Sequence, residues 1–486
     1  VSAVLALDQG TTGSTALVVA ADGRLLGRGY GEITQHFPAP GEVEHDAEEI
    51  LRVTTAAARE ALAQAEVTPV AIGITNQRET VCVWERDTLR PLHRAIVWQD
   101  RRTAGRCDAL RDRPTTAAMI RRRTGLVLDP YFSATKIEWL LEHVPGLARR
   151  AAAGDVVFGT VDAWLLARLT DGRTCATDHT NASRTMLYDL RRRDWDDQLL
   201  DLFGVPRAAL PEVRRSSGDF GVAAPRHLGM AAPITGVAGD QQAALFGQGC
   251  WRAGLAKNTY GTGAFLLMHT GSKRSASRHG LITTVACARD GGPAYALEGS
   301  IFIAGAAIQW LRDGLQLLAH AAESEALARG VPDTAGVSFV PAFVGLGAPH
   351  WDAAARGLIV GLTRGTTRAH IARAALEAMA YATKDVLDAM TKDARVRVAA
   401  LQVDGGAAAN DWLMQFQADV LGVPVARPDL VETTALGAAG LAGLAAGVWR
   451  TPDAFLAGRR FTRFRPGAGA RGAPARLAEW RRAVET

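Results

Sequence analysis

The sequence lacks the common nucleotide and metal signatures. No lysine directly follows a glycine, which excludes a phosphate loop of the GxxxxGK[ST] type. No HRD element occurs, so the paired HRD and DFG elements of protein kinases are not both present. The five cysteines (Cys82, Cys107, Cys175, Cys250, Cys287) are scattered and never in CxxC spacing. That argues against a zinc site or disulfide frame and for reduced thiols in the cytoplasm. Val1–Leu7 reads as a first strand rather than a leader, because it carries no basic residues and runs straight into Asp8. The uncharged stretch Thr433 to Trp449 is rich in Ala and Gly and short for a membrane span, so a buried, tightly packed helix is expected. Gly467–Gly472 spells GxGxxG, but no strand precedes it, and dinucleotide binding is not expected.

What is present is ordinary for a globular enzyme. The 486 residues are 48% hydrophobic and 22% charged, too long for one core and enough for two domains of roughly 200 residues. The net charge of +5 comes from arginines spread along the chain. The clusters Arg121–Arg123 and Arg191–Arg193 lack the interleaved aromatics of a single-strand binder, so no nucleic-acid partner is expected. Val4–Leu7 and Ala16–Ala20 flank a Gly/Thr turn, and Leu255–Tyr260 and Ala264–Met268 flank another at Gly261-Thr262-Gly263. One hairpin plan thus opens each half of the chain. Helices are expected at Ala47–Gln64 behind Asp46, at Ser133–His143, at His370–Met390 and from about Asn410 to Leu421. A strand at Ala399–Val403 precedes the last of these. Alternating strands and helices point to α/β layers. The divisions expected are 1–248, 249–449 and a peripheral segment 450–486.

Two acidic segments carry the chemistry. Leu7-Asp8-Gln9-Gly10-Thr11-Thr12 and Gly239-Asp240-Gln241-Gln242 each put a carboxylate beside small or polar residues after an apolar run. Separated carboxylates of this kind suit phosphoryl transfer, one steering metal and phosphate and the other serving an acceptor hydroxyl. Around them stand Asn76–Thr80, Ile96–Gln99, Asp129–Ser133, Asn258–Gly263, Gly305–Trp310 and Asp404–Asn410. In these eight blocks and their order the chain resembles the FGGY carbohydrate kinases, and among them the glycerol kinases, from about residue 4 to 449.

The resemblance implies two RNase H-like (actin-like ATPase) domains flanking a central cleft, with ATP, Mg2+ and glycerol as ligands. A homo-oligomer, dimer or tetramer, is compatible with it, and membrane insertion is not implied. Asp240 would be the general base, and could also cap the helix it opens. Asp8 would hold magnesium through water, with Asp240 nearby. Arg78 and Glu79 would supply a donor fork and an acceptor to the polyol, with Tyr131 a phenol and Gln241 a further hydroxyl partner. Trp98 and Phe265 would flank its carbons. Thr11, Thr12, Gly13, Thr262, Gly305, Gln309, Gly406 and Asn410 would contact nucleotide. Where many relatives carry Ser-Ser-Arg after the threonines, this chain has Gly13-Ser14-Thr15 and lacks that arginine. It also lacks the Gly-Gly-Lys-Gly-Gly-Thr-Arg loop that binds fructose 1,6-bisphosphate: Pro225–Pro233 stands there, with His227 expected to be an ordinary exposed loop histidine.

Overall fold

The computed structural model of the chain describes residues 2–352, 354–430 and 432–486. Val1, expected at the head of the first strand, lies outside them. The first sheet contains β1 (Ala3–Gln9), β2 (Gly13–Ala20), β3 (Leu25–Glu32), β4 (Ala71–Asn76), β5 (Val222–Ala223) and β6 (Ala232–Gly239), in the order β5-β6-β4-β1-β2-β3. The second contains β7 (Leu255–Tyr260), β8 (Ala264–Gly271), β9 (Ile282–Cys287), β10 (Pro293–Ile301), β11 (Ala400–Gly405), β12 (Val425–Pro428) and β13 (Phe461–Phe464), in the order β9-β10-β8-β7-β11-β12-β13. Each sheet joins an antiparallel hairpin, β1–β2 or β7–β8, to parallel neighbours. The two hairpins read from the sequence therefore occupy equivalent places in the two sheets.

Strands β1 and β4 are covered on both faces, which explains their near-continuous apolar runs. Helix α1 (Ala47–Ala65) starts at Asp46, whose carboxylate accepts the Glu48 amide at 2.8 Å. Its buried stripe, Ile50, Val53, Ala57 and Ala61, follows helical spacing. It lies directly on β3, where a Cβ at Gly27 or Gly29 would collide with α1 carbonyls. The helices α2 (Ser133–His143), α3 (Asp240–Gly247), α4 (Gly305–Asp313), α5 (Arg368–Ala394) and α6 (Asp411–Leu421) complete the layers that bear on the site.

Sequence halves and packed units do not coincide. Helix α7 (Thr433–Ala445) is buried as expected, but it packs against β1, β4, β6 and α3 of the first sheet. Its lack of side-chain bulk permits this, since Gly437 lies against the Ala243 carbonyl of α3. In the opposite direction Ile282, Val285 and Tyr295 of the second sheet join a core built mostly from residues 81–209.

Residues 450–486, expected as peripheral, lie at the edge yet are built in. Strand β13 pairs with β12, and helix α8 (Ala473–Glu485) buries Trp480, whose indole donates to the Phe339 carbonyl at 2.9 Å. Asp219-Phe220-Gly221 does spell DFG, but it is a turn, with Asp219 accepting the Gly221 amide at 2.8 Å and Phe220 buried. Among the described residues no helix is long and apolar enough to cross a membrane.

Candidate active site

Three adjacent parallel strands, β1, β4 and β6, end together. Asp8 lies one residue from the end of β1, Gln77–Thr80 follow β4, and Asp240 follows β6 at the first position of α3. Parallel α/β sheets present ligand sites at these carboxyl ends. The topology alone therefore gathers Asp8, Arg78, Glu79 and Asp240.

Arg78 is the hub, buried to 3% exposure. Its Nε sits 3.1 Å from Asp240 Oδ1. Nη1 donates to Glu298 Oε2 at 2.7 Å and to Gln242 Oε1 at 3.2 Å. Nη2 donates to Glu298 Oε1 at 3.2 Å and reaches Tyr131 Oη at 3.5 Å. Glu79 adopts a φ of 64°, unfavourable for a side chain of its size, and is almost fully buried. Arg184 Nε donates to Glu79 Oε1 at 2.6 Å. Burial pushes the Glu79 carboxyl up, while Arg78 and Arg184 pull against that shift. Asp240 remains one-third exposed, and its Oδ1 accepts the Gln241 amide at 2.6 Å.

An aromatic corner adjoins this cluster. Trp98 and Tyr131 meet edge to face with ring centroids 5.4 Å apart. Lys136 fixes the loop before α2 by donating to the carbonyls of Pro130 and Tyr131, at 2.5 and 2.9 Å. Burial raises the Tyr131 phenol's pKa, so it stays a neutral hydroxyl. The Trp98 indole donates to Thr11 Oγ1 at 2.9 Å, which ties the corner to the β1–β2 turn. Phe265 lies half-buried in β8, and among the described residues no ring contact links it to Trp98 or Tyr131. Gln241 is held through its Oε1 by the Lys257 ammonium of β7.

The second unit carries a cavity of about 530 Å³. Thr262, Gly305, Gln309, Gly406 and Asn410 all line it. The N-terminus of α4 opens onto it, the Gly305 amide donating to the Gly261 carbonyl at 3.0 Å. Asn410 caps α6 by accepting the Leu413 amide at 2.9 Å. Thr11 and Thr12 belong to the β1–β2 turn and Gly13 opens β2, and none of the three lines this cavity. Thr12 is exposed there, whereas Gly13 is buried, a Cβ at that position meeting Tyr30 Oη at 2.9 Å.

Residues 3–247 match the N-terminal domain of the FGGY family of carbohydrate kinases, and residues 256–446 match its C-terminal domain. The chain belongs to this family. It is 55% identical over 489 residues to a glycerol kinase of Dechloromonas aromatica, covering 99% of this chain and 97% of the relative. It is 58% identical to one from Halorhodospira halophila, over 92% of this chain and 89% of that one. Among solved structures, a Plasmodium falciparum glycerol kinase with ADP superposes with a TM-score of 0.95 at 36% identity, covering 100% of this chain and 98% of that one.

In this FGGY kinase the sequence reading missed Glu298, Arg184 and Lys257. All three are buried and bonded directly to site residues. Arg184 follows a short helix and carries no such pattern, but Glu298 and Lys257 are charges inside largely buried strands, where an unpaired charge is too costly to stand idle. That was the available signal.

Proposed function

We propose that this FGGY kinase transfers the γ-phosphate of MgATP to the 3-hydroxyl of glycerol, giving sn-glycerol 3-phosphate and ADP. The observation that carries the reading is the compact set Arg78, Glu79, Tyr131 and Asp240 closed by the Trp98 edge, which suits a thin triol. Identity of 55–58% to glycerol kinases over nearly the whole chain supports it. Asp240 accepts the hydroxyl proton and aims the oxygen, a contribution of typically ~10²–10⁴-fold. Arg78 and Glu79 read hydroxyls, while Gln241, its carbonyl engaged by Lys257, keeps its amide for another. Thr262, Gly305, Gln309, Gly406 and Asn410 hold the nucleotide in the second-unit cavity. The turn residues Thr11 and Thr12 face its phosphates.

Asp8 and Asp240 would hold the magnesium. Burial and the Asp240 charge push the Asp8 carboxyl up to about 7, and among the described ion pairs Asp8 has no cationic partner. The buried Asp8 carboxyl beside the Asp240 charge fits a hard divalent cation. Among the described residues no three His, Cys, Asp or Glu side chains converge, so water and phosphate oxygens would complete the shell. When bound, magnesium would neutralise charge on the transferring phosphates. The reading places the enzyme in the cytoplasm, a compartment that suits five cysteines free of disulfides.

ADP release measured across glycerol, erythritol, xylulose and gluconate tests the acceptor. Turnover is expected with glycerol above all others, and equal turnover with a five-carbon sugar would refute the assignment. The nucleotide side has its own test. A Cβ at Gly305 would lie 2.6 Å from the Gly261 carbonyl, so Gly305→Ala must displace the Gly261–Gly263 turn. Overpacking of this kind should cost about 1–2 kcal/mol of nucleotide affinity, roughly 5- to 30-fold in the KM for ATP, with the glycerol KM little changed. An unaltered KM for ATP would remove Gly305 from the nucleotide site.

Fructose 1,6-bisphosphate is expected to have no useful inhibitory effect. Pro225–Leu228 forms one helical turn, and Arg226 and His227 are both engaged by Asp171, at 2.6 and 2.9 Å. His227 is thus a paired, largely covered side chain rather than an ordinary exposed one, and activation through it is not expected. Titration at moderate salt checks this. Saturable inhibition below millimolar bisphosphate, abolished by Arg226→Ala, would overturn it.

A further inference from the structure

We infer that Glu298 is a positioning residue for the acceptor, set in the second sheet to fix the guanidinium plane of Arg78 in the first. The inference rests on the glycerol kinase reading and adds a residue to its specificity machinery.

A guanidinium offers five donors in a rigid plane. Here Nε stands 3.1 Å from Asp240 as an ion pair, one Nη1 hydrogen serves Gln242, and Glu298 takes one from each terminal nitrogen. The remaining Nη2 hydrogen points toward Tyr131 Oη at 3.5 Å, the longest of the four hydrogen bonds from the terminal nitrogens and the one most readily ceded to a ligand hydroxyl. The two-point grip of Glu298 therefore decides where that donor aims.

Glu298 is itself fixed. It is 1% exposed, in the middle of β10, and Arg184 Nη2 donates to its Oε1 at 2.9 Å. Arg184 in turn holds Glu79. The circuit Arg78–Glu298–Arg184–Glu79 so closes on both acceptor-reading residues. Burial alone would raise the Glu298 pKa, but Arg184 and Arg78 bring it down to about 2, so the grip is ionic throughout the working pH range. Glu298 belongs to the sheet whose strand β7 precedes the Gly261–Gly263 turn of the nucleotide cavity, whereas Arg78, Arg184 and Glu79 belong to the first unit. The acceptor pocket is therefore assembled across the seam between the units and not by the first unit alone.

The test is Glu298→Gln, which keeps the shape and removes the ionic grip. The KM for glycerol should rise at least ~10-fold, while the ATP dissociation constant and the slow ADP release without glycerol stay within about twofold. Unchanged glycerol KM in the folded variant would overturn the inference. So would a parallel loss of ATP affinity, which would mark Glu298 as merely structural. Should the two arginines left facing each other prevent folding, the Arg184→Gln/Glu298→Gln pair removes one charge of each sign and carries the same expectation for glycerol. Wild-type turnover of glycerol is the control that separates the two readings. If the wild type ignores glycerol, the proposed function falls and this inference with it; if only the variant behaves like wild type, the inference falls alone.

Discussion

Asp240→Asn should lower kcat by at least ~10²-fold and leave ATP binding nearly intact. Asn preserves the volume at the start of α3 and can still accept the Gln241 amide, so the local backbone has no reason to move. What it loses is the ability to take a proton from the acceptor hydroxyl. It also loses the charge 3.1 Å from Arg78 Nε, which should raise the glycerol KM by a smaller factor. Asp240 does not line the second-unit cavity, so the dissociation constant of ATP, measured by calorimetry without glycerol or magnesium, is the internal control. Near wild-type kcat in the variant would show that water or another group receives the proton.

The sequence made part of this site readable for a specific reason. Asp8, Arg78 and Asp240 stand just inside or after apolar strands that end in small or polar residues, and parallel strands deliver their carboxyl ends to one place. Helix α1 was legible because a cap at Asp46 coincides with a periodic apolar face. The packing of α7 was not. An alanine- and glycine-rich helix buried all round has no preferred face, so nothing in its pattern says which sheet it covers. Glu298, Arg184 and Lys257 stayed hidden because their partners lie 105 to 220 residues away in the first two cases, and because a lone charge in the sequence looks the same whether it pairs with a site or with solvent.

Arg78→Ala should have the second large effect, a fall in kcat/KM for glycerol of roughly 2–4 kcal/mol in transition-state terms, about 30- to 800-fold. The alanine cannot replace any of the five donors. Glu298 would keep Arg184, and Asp240 would lose the ion pair it makes with Arg78. Carboxylates previously separated by a cation would then face one another in a pocket with little water, where unpaired charge is most costly. Stability should drop as well, so a thermal melt must accompany the kinetics. Arg78→Lys is the informative companion: it restores one positive charge but not the planar fork, and should recover folding while leaving most of the glycerol defect. If Lys restored full kcat/KM, charge alone would suffice and the directional role given to the Nη2 donor would be wrong. If Ala instead destroyed ATP affinity while glycerol kinetics survived, the acceptor pocket would have to lie elsewhere.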